Sequence, residues 1–435
     1  MARNSKKTSR SAEREKLFEQ AFHTPIAAHY DVCVIGGGAA GLAAAITSAE
    51  AGASTLVLED ALGVGTSILK TGNGRCNLSN VDLAPSHYYH ADFVSAVVGD
   101  HFERDVLEFM AQSGLLTCEE EGRIYPLSKQ AASVRSVLIN RAQRAGATLA
   151  PARSVFAISP TPQGFDIHFN LFTASDRSTY REEQLSAACV IVTCGGGSMA
   201  SPLERLGLKM VPWEPVLCPL AVSDRLHELS VLDGRRTHAA VGLTRHGKTL
   251  ATETGEILFR PYGLSGIAIF NISRHAQRGD QLHIDLVPHL STAELMSFIS
   301  SAQGSHLTAP SQTVQPSALD GILDPRIAEV WLKKQPESSM PHTLADMVNL
   351  IKDLTFTVDI RTETSHAQVM RGGVSLACVN TKLEAHNIPG LFLAGEVLDV
   401  DGDCGGYNLA WAWKSGMVAG SNASLSAGRG RKDRS

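Results

Sequence analysis

Three glycines at fixed spacing, Gly36-x-Gly38-x-x-Gly41, stand between the apolar run Asp31-Val32-Cys33-Val34-Ile35 and an alanine-rich segment. That spacing suits a pyrophosphate. Gly36 permits a tight turn out of a strand, Gly38 lets a phosphate approach the backbone, and Gly41 lets a helix pack close to the sheet. Free N–H groups near Ala39 and Ala40, at the positive end of the helix dipole, would hold the anion. A second apolar run, Thr55-Leu56-Val57-Leu58, ends on Glu59, which lies 18 residues past Gly41. A carboxylate there, with Asp60 beside it, is placed to accept hydrogen bonds from an adenosine ribose. The pattern is that of a dinucleotide-binding chain.

Two further segments carry chemistry. Lys70-Thr71-Gly72-Asn73-Gly74-Arg75-Cys76-Asn77 packs glycines, amides and two cations into a short loop. Such a loop can lie against a flat ring, with Arg75 available to a carbonyl or phosphate. Near the C-terminus, Gly395-Glu396-Val397-Leu398-Asp399-Val400-Asp401-Gly402-Asp403-Cys404-Gly405-Gly406-Tyr407-Asn408 follows a buried-looking strand and opens a helix. A carboxylate after that strand can bind the hydroxyls of a ribityl chain. Gly405, Gly406 and the helix start at Tyr407 and Asn408 can aim N–H groups at a flavin N1/C2=O edge, stabilising an anionic reduced ring. The acidic residues superficially suggest calcium, but their spacing does not match an EF-hand.

These segments need a parallel sheet to position them. From Asp31 the order is strand, helix, strand. Residues 98–114 and 129–145 read as helices, and 152–192 alternates as antiparallel strands do before ending in Ala188–Thr193 and the glycines Gly195, Gly196 and Gly197. Residues from about 205 to 290 read as a β-rich insertion. Ala293–Ser301 and Thr343–Leu354 read as helices separated by Ser- and Gln-rich connections near 303–317. A strand at Gly390–Gly395 resumes the sheet, and a terminal helix runs from about Asn408 to Ser424. The expected division is a disordered basic tail (1–27), a dinucleotide domain (28–203), a β-rich insert (204–290), a small helical insert (291–358), the dinucleotide domain again (359–427) and a basic tail (428–435). Insertion of a substrate domain is commoner in large flavoproteins than in NAD dehydrogenases.

Composition bounds the class. The chain has 435 residues, 43% apolar and 19% charged, as a globular protein of two or three domains would have. No apolar stretch is long enough to span a bilayer, and the polar N-terminus lacks the core of a secretory signal. The 8 cysteines form no C-x-x-C pair, so neither a metal site nor a disulfide scaffold is expected. Cys33, Cys189 and Cys194 lie in apolar runs as core residues, and the reading is a reduced, cytoplasmic protein. Residues 1–16 carry a net +4 and residues 429–435 a net +3; removing both from the formal −5 leaves about −12 on the body. Basic ends on an acidic body are solvated tails or an electrostatic grip on RNA.

Together the strings VIGGGAAGLAAA, KTGNGRCNLSN, GRIYPLS, GEILFRPYGLSGIAIFNISR, RGGV and GLFLAGEVLDVDGDCGGYNLAWAWKSG resemble the BaiN/YhiN-like family of FAD-dependent, NAD(P)H-linked flavoproteins, the aminoacetone oxidase-like proteins. The resemblance covers residues 31–425. It implies an α/β fold in which a Rossmann-type FAD-binding domain is interrupted by a β-barrel and a small helical piece. It also implies that Gly36, Gly38, Gly41 and Glu59 hold the ADP half of FAD. Gly195 and Gly196 would line the adenine side, while Gly395, Glu396, Asp399, Gly405, Gly406, Tyr407 and Asn408 cradle the ribityl and the ring. The expected reaction is reduction of a polarised C=C bond by hydride from reduced flavin N5, with NAD(P)H as a transient reductant over the flavin. Candidates for the accompanying acid are Cys404, Cys76, Tyr407 and Tyr262, with His366 and His386 further off. Arg260 departs from the family pattern and is either a plain surface arginine or one that could reach an anionic substrate or an RNA phosphate. The substrate is a small unsaturated carbonyl compound; the alternatives are uridine in ribosomal RNA, giving a dihydrouridine synthase, and an aminoketone or amine, giving an oxidase.

Overall fold

The computed structural model describes residues 2–302, 319–333, 343–361 and 367–432. It divides into two compact units, Met1–Glu214 with Met370–Ser435, and Pro215–Val369.

The first unit is built on a sheet. Strand β1 (His29–Ile35) has every residue buried but the first, helix α2 (Ala39–Glu50) follows it, and strand β2 (Thr55–Leu58) is buried throughout. The strand Tyr180–Val192 flanks β1 in parallel on its other side, and Leu391–Leu393 pairs in parallel with its far end. Register decides what this arrangement can do. Ile35 lies opposite Leu58 and Val192, and Val192 lies opposite Leu393. The chain therefore leaves all of these strands along one edge, where open parallel sheets bind ligands.

Tyr180–Val192 serves two sheet types along its length. Its first part pairs antiparallel with Gly164–Phe172, which pairs with Arg153–Thr161, and its last part joins the parallel strands. The alternation over 152–192 reflects that antiparallel part. The helix expected at 98–114 is found over Phe102–Gln112, and a separate helix, Ala91–Val98, precedes it and stops at Gly99, which takes φ +68°. The terminal helix runs further than expected, over Tyr407–Lys432, and takes in part of the basic tail. It lies against α2, with the Ser48 hydroxyl donating to Gly420 O at 3.0 Å. Cys33 and Cys189 sit in this core as expected, and Cys194 is half-buried.

The N-terminal tail is not disordered as expected, but forms helix α1 (Ala2–Phe22). Phe18 and Ala21, spaced for one helical face, pack with Ala152 and Phe172. Arg153 then fastens the end of the segment by donating to Ala21 O at 3.1 Å and Thr24 O at 2.9 Å.

The second unit holds a closed barrel whose strands run Leu220–Val222, Gly263–Ser265, Lys248–Arg260, Arg236–Arg245, Gln281–Asp285 and Leu354–Arg361 around the ring. The helices Thr292–Ala302 and Leu344–Lys352 come before the last barrel strand in the chain. Their apolar residues Leu295, Ile299, Met347 and Ile351 share one core with Ile257, Phe259 and Phe356 of the barrel. The two inserts expected from sequence are thus one compact unit with one core. Arg260 is paired with Asp233 at 3.2 Å. The connections near 303–317 and His366 lie outside the described residues, and no helix among those described is long and apolar enough to cross a membrane.

Candidate functional site

At the edge where β1 ends, Gly36 turns with φ +101°. A Cβ on Gly41 would stand 1.9 Å from Gly36 O, so only glycine lets α2 begin this close to the turn. Helix α2 opens at Gly38 with no side chain capping it. Its first N–H groups are therefore left to an anion. Glu59 supports the turn from the next strand. Its carboxylate accepts from Gly37 N at 2.6 Å and from Ala61 N at 2.8 Å. Burial pushes the Glu59 carboxyl above its ordinary range, while those two N–H groups act in the opposite sense. Asp60 is exposed and paired with Arg177 at 2.5 Å.

Gly395 reaches the same place from the far strand. A Cβ on it would meet Ala40 Cβ at 2.9 Å, and its N–H donates to Ser415 Oγ at 2.9 Å. Next to it, Glu396 accepts from Met370 N at 2.9 Å, and its other oxygen lies 2.6 Å from where a Gly195 Cβ would be. Burial raises the Glu396 carboxyl as well. Gly196 faces open space, whereas Gly197 packs against Trp213, whose buried Nε1 has no hydrogen-bond partner.

The loop 70–77 and the loop 402–408 meet. Asn80 Nδ2 donates to Gly405 O at 3.0 Å. A Cβ on Gly406 would stand 2.3 Å from Ser79 O and 2.9 Å from Asn77 Oδ1. Asn77 Oδ1 and Ser79 Oγ are buried and without partners. Unsatisfied buried polar atoms beside a glycine pair that leaves room are what a polar ring edge would complete. Lys70, Gly72 and Asn73 are exposed and Gly74 half-buried. Arg75 binds Glu120 at 2.6 Å and lies 4.4 Å from the centre of the Tyr125 ring. Arg75 and then Lys129 hold the Glu120 carboxyl down at about 2. Arg75 is thus tied to the hairpin at 117–126.

Cys76 is fully buried, and burial pushes its thiol up to about 11. Tyr407 is buried, with its ring stacked on His87 at 4.4 Å and edge-on to Tyr88. Asn408 uses its amide within the loop, accepting from Gly402 N at 2.8 Å and donating to Gly402 O at 2.9 Å. Only its backbone N–H is left for a ligand. Cys404 is half-buried in the same loop, and His386 is exposed.

A cavity of about 310 Å³ lies in the same unit, lined by Tyr89, His90, Val211, Pro212, Glu214, Arg371 and Asp399. Asp399, buried, accepts from Gly372 N at 3.1 Å with one oxygen and pairs with His90 Nε2 at 3.2 Å through the other. Arg371 lies 4.2 Å from the centre of the Tyr89 ring and donates to the fully buried Asp401 at 2.6 and 3.0 Å. Its guanidinium also faces Glu214 at 3.7 Å. Trp213, Tyr89, His90 and Arg371 were not singled out from the sequence. The one available signal was the RGGV string, whose glycines sit close to Pro212 O and Val397 O.

The residues at this edge fit a flavin dinucleotide. An uncapped helix start and the Gly38 approach suit a pyrophosphate, Glu59 stands beside them, and the orphaned Asn77 and Ser79 atoms lie at the opposite end, beside Gly405 and Gly406.

The chain is similar to several known proteins. The HI0933-like protein Rossmann domain matches residues 30–422. The 3-dehydro-bile acid delta(4,6)-reductase of Clostridium scindens is 34% identical over 415 residues, covering 89% of this chain and 97% of that protein. The ribosomal RNA dihydrouridine synthase of Escherichia coli is 28% identical over 409 residues, covering 89% of this chain and 96% of its own length. Among solved structures, a 3-ketosteroid-delta4-(5alpha)-dehydrogenase from Rhodococcus jostii covers 92% of this chain and 98% of its own, with 17% identity and a TM-score of 0.49.

Proposed function

Because this chain belongs to the HI0933-like Rossmann family, we propose that it is an FAD-dependent oxidoreductase that reduces the polarised C=C bond of a small unsaturated carbonyl compound, using NAD(P)H as the electron source. FAD, when bound, supplies the two-electron carrier, passing a hydride equivalent to the electron-poor carbon. The observation that carries this reading is one sheet edge bearing both ends of a cofactor cradle, in the same unit as a cavity large enough for a ring-sized molecule.

The remaining chemistry is done by the chain's own residues. The first turn of α2 and Gly38 hold the diphosphate, and Glu59 holds the ribose while keeping Gly37 in place. Glu396 fixes the approach of Gly195 and of Met370. Asn77, Ser79 and the N–H groups following Gly406 complete the polar edge of the ring and favour negative charge there. The cavity beside Asp399 takes the substrate. Within it, Arg371 is committed to Asp401, which leaves no free fork for a carboxylate or phosphate and suits an uncharged carbonyl compound.

The test is to isolate the protein, identify the cofactor it releases on denaturation, and reduce it anaerobically with NADPH. The expected result is a flavin that stays reduced until an enone is added. A flavin that ignores enones while unmodified ribosomal RNA gains two hydrogens on uridine would transfer the reading to dihydrouridine synthesis. Rapid oxygen consumption with aminoacetone would instead make it an oxidase.

A further inference from the structure

Saturation of a C=C bond needs a proton as well as a hydride equivalent. We propose that His90, oriented by Asp399 in the wall of the 310 Å³ cavity, is the catalytic acid that supplies it. This inference rests on the reductase reading. In the step, a C–H bond forms at the carbon beside the carbonyl as the imidazole N–H bond breaks. The electron pair comes from the enolate left when the other alkene carbon takes the hydride equivalent of the reduced flavin, and solvent returns the proton to the ring.

Several observations converge on His90. It lines the cavity, whereas Cys76, Cys404 and Tyr407 do not. Its Nε2 lies 3.2 Å from Asp399 Oδ2, and the other oxygen of Asp399 is occupied by Gly372 N–H at 3.1 Å. A carboxylate anchored in this way fixes the ring orientation and the tautomer, leaving Nδ1 as the nitrogen that exchanges protons with a bound molecule. The charged groups facing His90 are Asp399 itself, Glu214 across the cavity, and Arg371, which is neutralised by Asp401. Tyr89 packs edge-on against the imidazole at 4.4 Å. The alternatives are poorly suited to proton transfer near neutrality. The Cys76 thiol is buried and raised to about 11, and the Tyr407 ring is enclosed by His87 and Tyr88. The His90 imidazole can carry and release a ring proton, and it lines open space. Asp399 is then a positioning residue.

The experiment compares FAD-loaded wild type, His90→Gln and Asp399→Asn. Each is reduced with NADPH, then mixed anaerobically with 2-cyclohexenone while the return of oxidised flavin absorbance is followed from pH 5.5 to 9. The extent of reduction by NADPH is recorded in each variant, so that reoxidation is scored on flavin that is already reduced. Reoxidation by the enone should slow by about 10²–10³-fold and lose the pH dependence seen in wild type. Separately, proton–nitrogen correlation spectra of ring-labelled histidine should show that the His90 titration moves in Asp399→Asn, a readout independent of turnover. Wild-type reoxidation matched in rate and pH profile by His90→Gln overturns the assignment alone. An unmoved His90 titration in Asp399→Asn overturns the role given to Asp399. Reduced wild type that neither an enone nor uridine in RNA reoxidises overturns the reductase reading and this proposal with it.

Discussion

A tight helix contact in the cofactor half offers a direct perturbation. Gly416, on the closing helix Tyr407–Lys432, lies against the first turn of α2, where an added Cβ would stand 2.3 Å from Ala40 O. Contact at that distance forces the helices apart by about 1 Å. Overpacking of this kind costs about 1–3 kcal/mol, and backbone against backbone belongs at the upper end. Replacing a helical glycine by alanine returns about 1 kcal/mol. The net expectation for Gly416→Ala is a loss of about 1–2 kcal/mol. Gly428, on the same helix, has nothing within 4 Å. Gly428→Ala should therefore be stabilising by about 0.5–1 kcal/mol. The two variants make one chemical change in one helix, so propensity cancels between them and only the contact differs. Their melting temperatures should separate by about 5 °C, allowing about 2–4 °C for each kcal/mol. Because Ala40 carries part of the N–H row meant for the diphosphate, Gly416→Ala should also weaken FAD binding about tenfold, equivalent to about 1.4 kcal/mol. Flavin fluorescence titration of the apoprotein measures this. Equal stability and equal FAD affinity in the two variants would refute the reasoning.

Other sites make further predictions. Burial raises the Glu396 carboxyl above its unfolded value, so its ionised form penalises the fold above the native pKa and the penalty fades as pH falls toward the unfolded value; Glu396→Gln should melt higher than wild type as apoprotein at pH 8 and approach it near pH 4.5. Arg371→Met leaves the fully buried Asp401 without its cation, which should cost about 3–5 kcal/mol; Arg371→Met combined with Asp401→Asn should recover most of that in urea denaturation. Iodoacetamide at pH 8 followed by mass mapping should modify the half-buried Cys118, Cys378 or Cys404 well before Cys76, which is fully buried with its thiol raised to about 11, or Cys33, which burial also raises. Labelling of Cys76 at the rate of Cys404 would contradict the buried placement of the Cys76 side chain.

The cofactor half was legible in the sequence where its parts are contiguous. Gly36, Gly38, Gly41 and Glu59 announce themselves because a strand, a turn, a helix and the next strand end are consecutive in the chain. The cavity was not legible, because Tyr89, His90, Glu214, Arg371 and Asp399 come from separate segments and meet only through the fold. Arg75 looked available as a single residue in a glycine-rich loop. Its partner Glu120 lies 45 residues further on, in a hairpin that no local pattern connects to it. Helix α1 was missed for a related reason: many charges suggest a solvated tail, while the apolar contacts of Phe18 and Ala21 are few and distant in sequence.

The acidic loop near the C-terminus shows how a misleading signal resolves once partners are known. Asp399, Asp401 and Asp403 alternate in sequence as metal ligands often do, yet each serves a different neighbour. Asp399 holds His90 and Gly372, Asp401 holds Arg371, and Asp403 pairs with His87 Nδ1 at 2.9 Å. Two of those partners come from the His87–His90 stretch and two from the Arg371–Gly372 turn. The alternation therefore ties one loop to two others at three points, and that loop connects Gly395 at the start of α2 to Gly405 at the orphaned Asn77 and Ser79. Rigid support of this kind places a ligand's two ends at fixed separation before it arrives, which lowers the entropy lost on binding. The carboxylates suit side-chain partners that are cationic or imidazole groups, of which Arg371 and His90 line the cavity. An apolar loop could pack there, but it could not orient His90.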